Sequence, residues 1–287
     1  MNHGEAMHGS QYRPEDISRQ FDEYGMKEWE RLTATPVDEI SLYLHTHYLQ
    51  KYIQAGWRVL DVGAGAGRFT QVLAELGARI TVADISQEQI TLNQRMAAQL
   101  GFTKAVDTWQ VMDICDMSRF DSSSFDCVVA YGGPFSYVLD QRDVALRECL
   151  RVLKPGGVLL LSVMSLWGTA HRHLTGVLAV PAEFNQLVTS LGDITAATIP
   201  GRNGNWMHLF RASELREWLQ TAGLEVLDMS ASGCLAVGLE ESLVEIRNTP
   251  GKWQELLRME LEASASPGAV DMGTHLIAIG RKNHEPS

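Results

Sequence analysis

A chain of 287 residues, 45% hydrophobic and 21% charged, has the composition of a folded globular protein and not of a disordered or fibrous one. Its 24 Lys and Arg against 35 Asp and Glu leave a formal charge of −11, which disfavours a nucleic-acid partner, since phosphate backbones are held by clustered cations. The apolar stretch at 158–164 is too short to span a bilayer, residues 1–10 lack a secretory apolar core, and Cys115, Cys127, Cys149 and Cys234 have no metal or disulfide spacing, so a cytoplasmic protein without metal or membrane segment is expected.

In chain order, residues 1–50 read as a polar, aromatic-dotted helical lid. Short apolar runs follow at 59–62, 79–83, 106–111, 125–130 and 158–163, the type that forms strands buried on both faces of a parallel sheet. Helices are expected between them. Residues 67–76 place Phe69, Val72, Leu73 and Leu76 on one face before Gly77, and Ser86 caps a helix that ends at Gly101. A third helix, 140–153, is stopped by Lys154-Pro155-Gly156-Gly157. Strand and helix in alternation mean a doubly wound α/β core over 51–164. The rhythm breaks at 165–210, an inserted cap. It returns over 211–287 with a helix capped by Ser213, a run at 224–227, helix around Pro250-Gly251 and a last strand at 275–279.

The informative run is Val59-Leu60-Asp61-Val62-Gly63-Ala64-Gly65-Ala66-Gly67, a strand entering a glycine turn before a helix. Glycine there allows a sharp turn and close approach of a ligand, and the helix N-terminus suits an anionic group. The dinucleotide fingerprint fails, because Arg68 or Thr70 stands where its last glycine belongs, and no Gly-Lys-Ser/Thr completes a P-loop. Asp61 at the strand end favours a ligand with a cationic group. Asp84 ends the second strand about twenty positions past the turn, the place of a ribose-binding acid. Asp113 follows the third strand, where a carboxylate would accept from an adenine amino group, and Ile85 and Ile114 offer apolar faces to the ring.

With Asp61 to Gly67, Asp84-Ile85, Asp113-Ile114, Phe125-Asp126 and Leu150-Arg151-Val152-Leu153-Lys154-Pro155-Gly156-Gly157, the chain resembles the class I S-adenosylmethionine-dependent methyltransferases, of the small-molecule type. The resemblance is strong over 54–164 and loose over 213–281. It implies a Rossmann-like, seven-stranded, mostly parallel sheet with helices on both faces and an antiparallel last strand. It also implies S-adenosyl-L-methionine as cofactor, with Asp61, Gly63 and Gly65 at its methionine part, Asp84 at the ribose, Asp113 and Ile114 at the adenine, and Tyr131 near the amino group and the substrate. Tyr24 and Glu28-Trp29-Glu30-Arg31-Leu32 look like the family's helical lid, Arg31 facing a carboxylate of cofactor or substrate.

Methyl transfer from a sulfonium is an in-line displacement in which positioning does most of the work, so a base is needed only for an acceptor that must lose a proton. His208, just before a helix at the cleft, is the first candidate base, followed by His171 and His173. Trp29 and Trp206 either line a pocket or pack the lid, and Phe135 either meets substrate or sits in the core. Tyr131-Gly132-Gly133-Pro134-Phe135 is not the Asn/Asp-Pro-Pro-aromatic signature of enzymes that methylate amino groups of bases. A methyltransferase enclosing a small acceptor between lid and cap is therefore expected. The alternatives are a nicotinamide-dependent oxidoreductase and a non-catalytic S-adenosylmethionine-binding protein.

Overall fold

The apolar runs form strands because each alternates its buried side chains between two helical layers. In the computed structural model, which describes residues 12–201 and 204–283, these are β1 (Arg58–Val62), β2 (Arg79–Asp84), β3 (Val106–Val111), β4 (Phe125–Ala130) and β5 (Leu153–Met164). Val59, Val129 and Leu160 face one layer, and Leu60, Val128 and Leu159 the other, all without exposed surface. The first part of the lid expectation, residues 1–11, lies outside the described residues, as do Arg202, Asn203 and 284–287.

The N-terminal segment is α1 (Pro14–Tyr24), α2 (Lys27–Glu30) and α3 (Pro36–Tyr52). Only the first two cover the cleft. α3 belongs to the core, burying Ile40, Leu44 and Leu49 completely against the sheet, so the lid is shorter than 1–50. The sheet helices are α4 (Arg68–Glu75), α5 (Gln87–Leu100), the single turn α6 (Pro134–Tyr137) and α7 (Arg142–Val152). Gly67 caps α4 from a left-handed conformation rather than starting it, and Leu153 pairs with Phe125 in β5 rather than ending a helix.

The cap comprises α8 (Leu166–Arg172), α9 (Leu174–Leu178), α10 (Ala182–Leu191) and a ribbon of β6 (Asp193–Ile194) with β7 (Met207–His208). Leu166, Val188, Met207 and Leu209 give it a small core of its own, which rests on Tyr137 and Met164. Then come α11 (Ala212–Thr221), β8 (Leu224–Ala231), α12 (Glu240–Arg247), α13 (Pro250–Ser264) and β9 (His275–Lys282). Arg211, not Ser213, is the N-cap of α11, since Glu214 reaches back to its backbone N–H.

The seven-stranded order is β3-β2-β1-β4-β5-β9-β8. The first five strands are parallel, and β9 lies antiparallel between β5 and β8. Strand order reverses between β1 and β4, so a crevice opens there at the carboxyl edge, where sheets of this kind bind ligands. Among the described residues no helix is long and apolar enough to cross a membrane.

Candidate active site

The turn after β1 is forced open by its glycines. Gly63 has φ +68° and Gly65 φ +53°; a Cβ on the first would stand 2.5 Å from Pro134 Cγ, and on the second 2.9 Å from Glu28 Cγ. Only glycine lets the turn pass under Pro134 of α6 and Glu28 of α2. Asp84 at the end of β2 holds the turn from the side: its Oδ2 accepts from Gly65 N–H at 2.8 Å and its Oδ1 from Ser86 N–H at 2.9 Å. Burial raises its carboxyl to about 6 in spite of those two bonds, with Glu28 and Asp22 adding to the rise.

A cavity runs from this turn along the strand ends. Gly63, Gly65, Asp84, Ile85, Asp113, Ile114, Tyr131 and Arg31 all line it, so most of the expected cofactor residues converge. Asp113 Oδ1 accepts from Cys115 N–H at 2.8 Å, which fixes the carboxylate at one end of the cavity. At the other end Arg31 Nε donates to both Glu28 oxygens at 2.8 Å. The Tyr131 hydroxyl is buried without a hydrogen-bond partner among the described residues. A second chamber of about 1080 Å³ adjoins and shares Phe21, Glu28, Arg31, Gly132 and Tyr137 as walls.

The lid is tied down by polar bonds. Asp22 Oδ1 accepts from the Ser86 hydroxyl at 2.5 Å and from Glu88 N–H at 3.2 Å, and Gln89 Nε2 donates to the carbonyls of Phe21 and Gly25 at 3.0 Å. Gln20 Oε1 takes the Asn205 N–H at 3.2 Å and so joins lid to cap. Phe21 and Tyr137 meet edge to face at 5.4 Å where the two cavities join.

Several expected residues stand elsewhere. Asp61 does not line the cavity. It shares the pleat face of Val59, so it points beneath the turn, accepts the Thr70 hydroxyl at 2.6 Å, and is raised to about 7 by burial. Asn93 donates to Thr70 Oγ1 and to the Gly65 carbonyl, so this buried network supports the turn from below. Phe135 is wholly buried in the core. Trp29 turns its ring to the Arg68 guanidinium, 3.7 Å away, and lines neither cavity; nor does Trp206. Tyr24 reaches only the larger chamber. His171 and His173 are exposed on the cap and line no part of the site.

His208 is a buried latch. Its Nδ1 and Nε2 each lie 2.7 Å from a carboxylate oxygen, of Asp193 and Glu214 respectively, so neither nitrogen is free to act as a base. Burial opposes the charged ring, but the two carboxylates outweigh it and hold the imidazole above its ordinary pKa. The resulting stability is complete below the unfolded value of about 6.5 and is lost as pH rises through the elevated folded value. Thermal unfolding should therefore fall more steeply from pH 6 to pH 9 in the native chain than in His208→Gln, and parallel curves would remove this account. At pH 6 the substitution is expected to cost roughly 1–2 kcal/mol, because both carboxylates are partly solvated.

Phe21 and Tyr137 had no part in the sequence reading of the cleft, and Glu28 and Pro134 stood there only within the lid pattern and the turn after the fourth strand, without a role of their own. Glycine-glycine-proline after the fourth strand was the available local signal for the α6 turn, whereas the lid contacts have none.

Residues 60–161 match the family described as "Methyltransferase domain". Over 176 residues the chain is 30% identical to the ubiquinone biosynthesis O-methyltransferase of Xanthomonas axonopodis pv. citri (strain 306), covering 61% of this chain and 66% of that one. Residues 60–161 therefore carry the pattern of a methyltransferase domain, as the resemblance of the glycine turn and strand-end acids implies. The chain spans just under two thirds of that relative's length. Two solved methyltransferases share the fold. One, from Methanosarcina mazei, is 20% identical at a TM-score of 0.56 over 83% of this chain and 98% of that one. The other is the 1,6-didemethyltoxoflavin-N1-methyltransferase of Burkholderia thailandensis, with bound 1,6-didemethyltoxoflavin and S-adenosylhomocysteine; it is 16% identical at 0.57 over 98% of both chains. S-adenosylmethionine is the methyl donor of this methyltransferase family. The cleft fits it, with a glycine cradle that any Cβ would fill and, in Tyr131, a buried hydroxyl lacking a partner among the described residues.

Proposed function

We propose that this methyltransferase moves the methyl group of S-adenosylmethionine to a small-molecule acceptor held in the larger chamber. The observation that carries the reading is two cavities meeting at one wall, the first along three carboxyl strand ends and the second under lid and cap. The donor, when bound, supplies a methyl carbon on a positive sulfur that is already a good leaving group. Asp84 accepts from the ribose hydroxyls with the lone pairs its two backbone bonds leave free, Ile85 and Ile114 hold the adenine faces, and Asp113 accepts from its amino group. Glu28 and Arg31 divide the amino-acid end between them, carboxylate toward ammonium and guanidinium toward carboxylate. Lid closure by Asp22, Gln89 and Gln20 excludes water, and holding both reactants in one closed space lowers the barrier by orientation.

A small acceptor is supported by the names of the relatives: an O-methyltransferase of ubiquinone biosynthesis, and a neighbour that holds 1,6-didemethyltoxoflavin. Thermal unfolding tests the donor site. S-adenosylhomocysteine at about 100 times its Kd should add about 2.7 kcal/mol, a rise of roughly 5–10 °C in Tm. An unchanged Tm together with no heat of binding would sink the reading.

A further inference from the structure

The antiparallel strand brings one further polar side chain to the chamber. Parallel strands present their last residues at the carboxyl edge, but β9 runs the other way and presents its first. His275 stands there, opposite Met164 in the register with β5. It lines the chamber with Gly132, Tyr137, Met164 and Arg31, and its far side borders a cavity of about 610 Å³. Thr274 Oγ1 lies 3.3 Å from His275 Nδ1, while Nε2 has no hydrogen-bond partner among the described residues. Arg31 from the lid, His45 of α3 at 6.3 Å between rings, and Asp38, Arg172 and Glu260 around the adjoining cavity are the titratable and charged groups facing this corner. Burial first, then Arg31 and His45, holds the imidazole well below its ordinary pKa, so at neutral pH it is uncharged and able to accept a proton.

We propose that His275 is the catalytic base and that the acceptor is a hydroxyl compound, its O–H directed at this imidazole. The inference rests on the methyl-transfer reading above. In the step, a lone pair of the acceptor oxygen forms the C–O bond, the C–S bond breaks with its pair remaining on sulfur, and the O–H proton ends on His275, which releases it to water after the product leaves. A weak base suffices, because the hydroxyl becomes strongly acidic only as its oxygen gains the methyl group. Proton transfer is therefore late, and a neutral imidazole leaves the acceptor uncharged on entry.

The test uses the full chain, S-adenosylmethionine, and a series of substituted phenols and catechols, with 4-nitrophenol and thiophenol as acceptors ionised at pH 8. For un-ionised hydroxyls, His275→Gln should lower kcat about 100-fold or more while KM changes by less than about threefold. Ionised acceptors should lose far less, imidazole in the buffer should restore part of the activity of His275→Ala, and both variants should bind S-adenosylhomocysteine as the native chain does. Equal loss on ionised and un-ionised acceptors, or no loss at all, overturns the assignment. So does a native chain that binds S-adenosylhomocysteine yet methylates no hydroxyl in the series. A native chain that binds neither donor nor product overturns the methyl-transfer reading itself, and this inference with it.

Discussion

Alanine in place of Asp84 should weaken binding of S-adenosylhomocysteine by about 100-fold or more in calorimetry. A charge-assisted hydrogen bond contributes roughly 1.5–3 kcal/mol, two ribose hydroxyls would engage this carboxylate, and each 1.4 kcal/mol is about tenfold in affinity. The same change leaves the Gly65 and Ser86 N–H groups without their acceptor, so the turn that cradles the ligand loosens as well. The pH dependence carries the same signature. Because burial raises the carboxyl to about 6, ligand that needs the ionised form should bind more weakly as pH falls through that value, approaching roughly tenfold per unit below it. Asp84→Asn should lack this dependence. An Asp84→Ala variant that is folded and binds within a few-fold of the native chain would remove the ribose assignment.

Gly63→Ala should be strongly damaging for a change of a single methyl group. At φ +68° a Cβ costs roughly 1–2 kcal/mol in backbone strain. The new atom would also lie 2.5 Å from Pro134 Cγ, and forced overpacking adds roughly 1–3 kcal/mol. Pro134 cannot swing aside as a flexible side-chain end would, because its ring is closed on the backbone that opens α6. A fall of roughly 5–15 °C in Tm is expected, together with loss of ligand binding. Gly251→Ala is the control, since among the described residues nothing lies within 4 Å of a Cβ there and its backbone is compatible with alanine; its Tm should stay close to native. Equal behaviour of the two variants would mean that the turn yields more readily than its geometry implies.

The catalytic reading of the histidines changed most between sequence and structure. His208 was favoured because it precedes a helix at the cleft, but both its nitrogens are taken by Asp193 and Glu214, from the cap ribbon and α11, so it secures the cap. His275 carried no motif, being merely the first residue of an apolar strand. Its place at the carboxyl edge depends on β9 running against its neighbours, a property of the assembled sheet.

Asp61 and Asp84 make the same point at closer range. Both are acids at strand ends beside the glycine turn, and one-dimensional spacing treats them alike. Yet Asp61 lies on the pleat face covered by α4 and α5 and serves Thr70, while Asp84 lines the cavity. The chain sequence by itself determined the alternation of strands and helices, the glycine turn and the acids after the second and third strands, because apolar period, turn chemistry and strand length are local properties. Which acid lines the cavity, which histidine is occupied, and that α3 belongs to the core rather than the lid were decided only by tertiary structure. Those outcomes depend on which distant side chains arrive to take up a hydrogen bond or cover an apolar face.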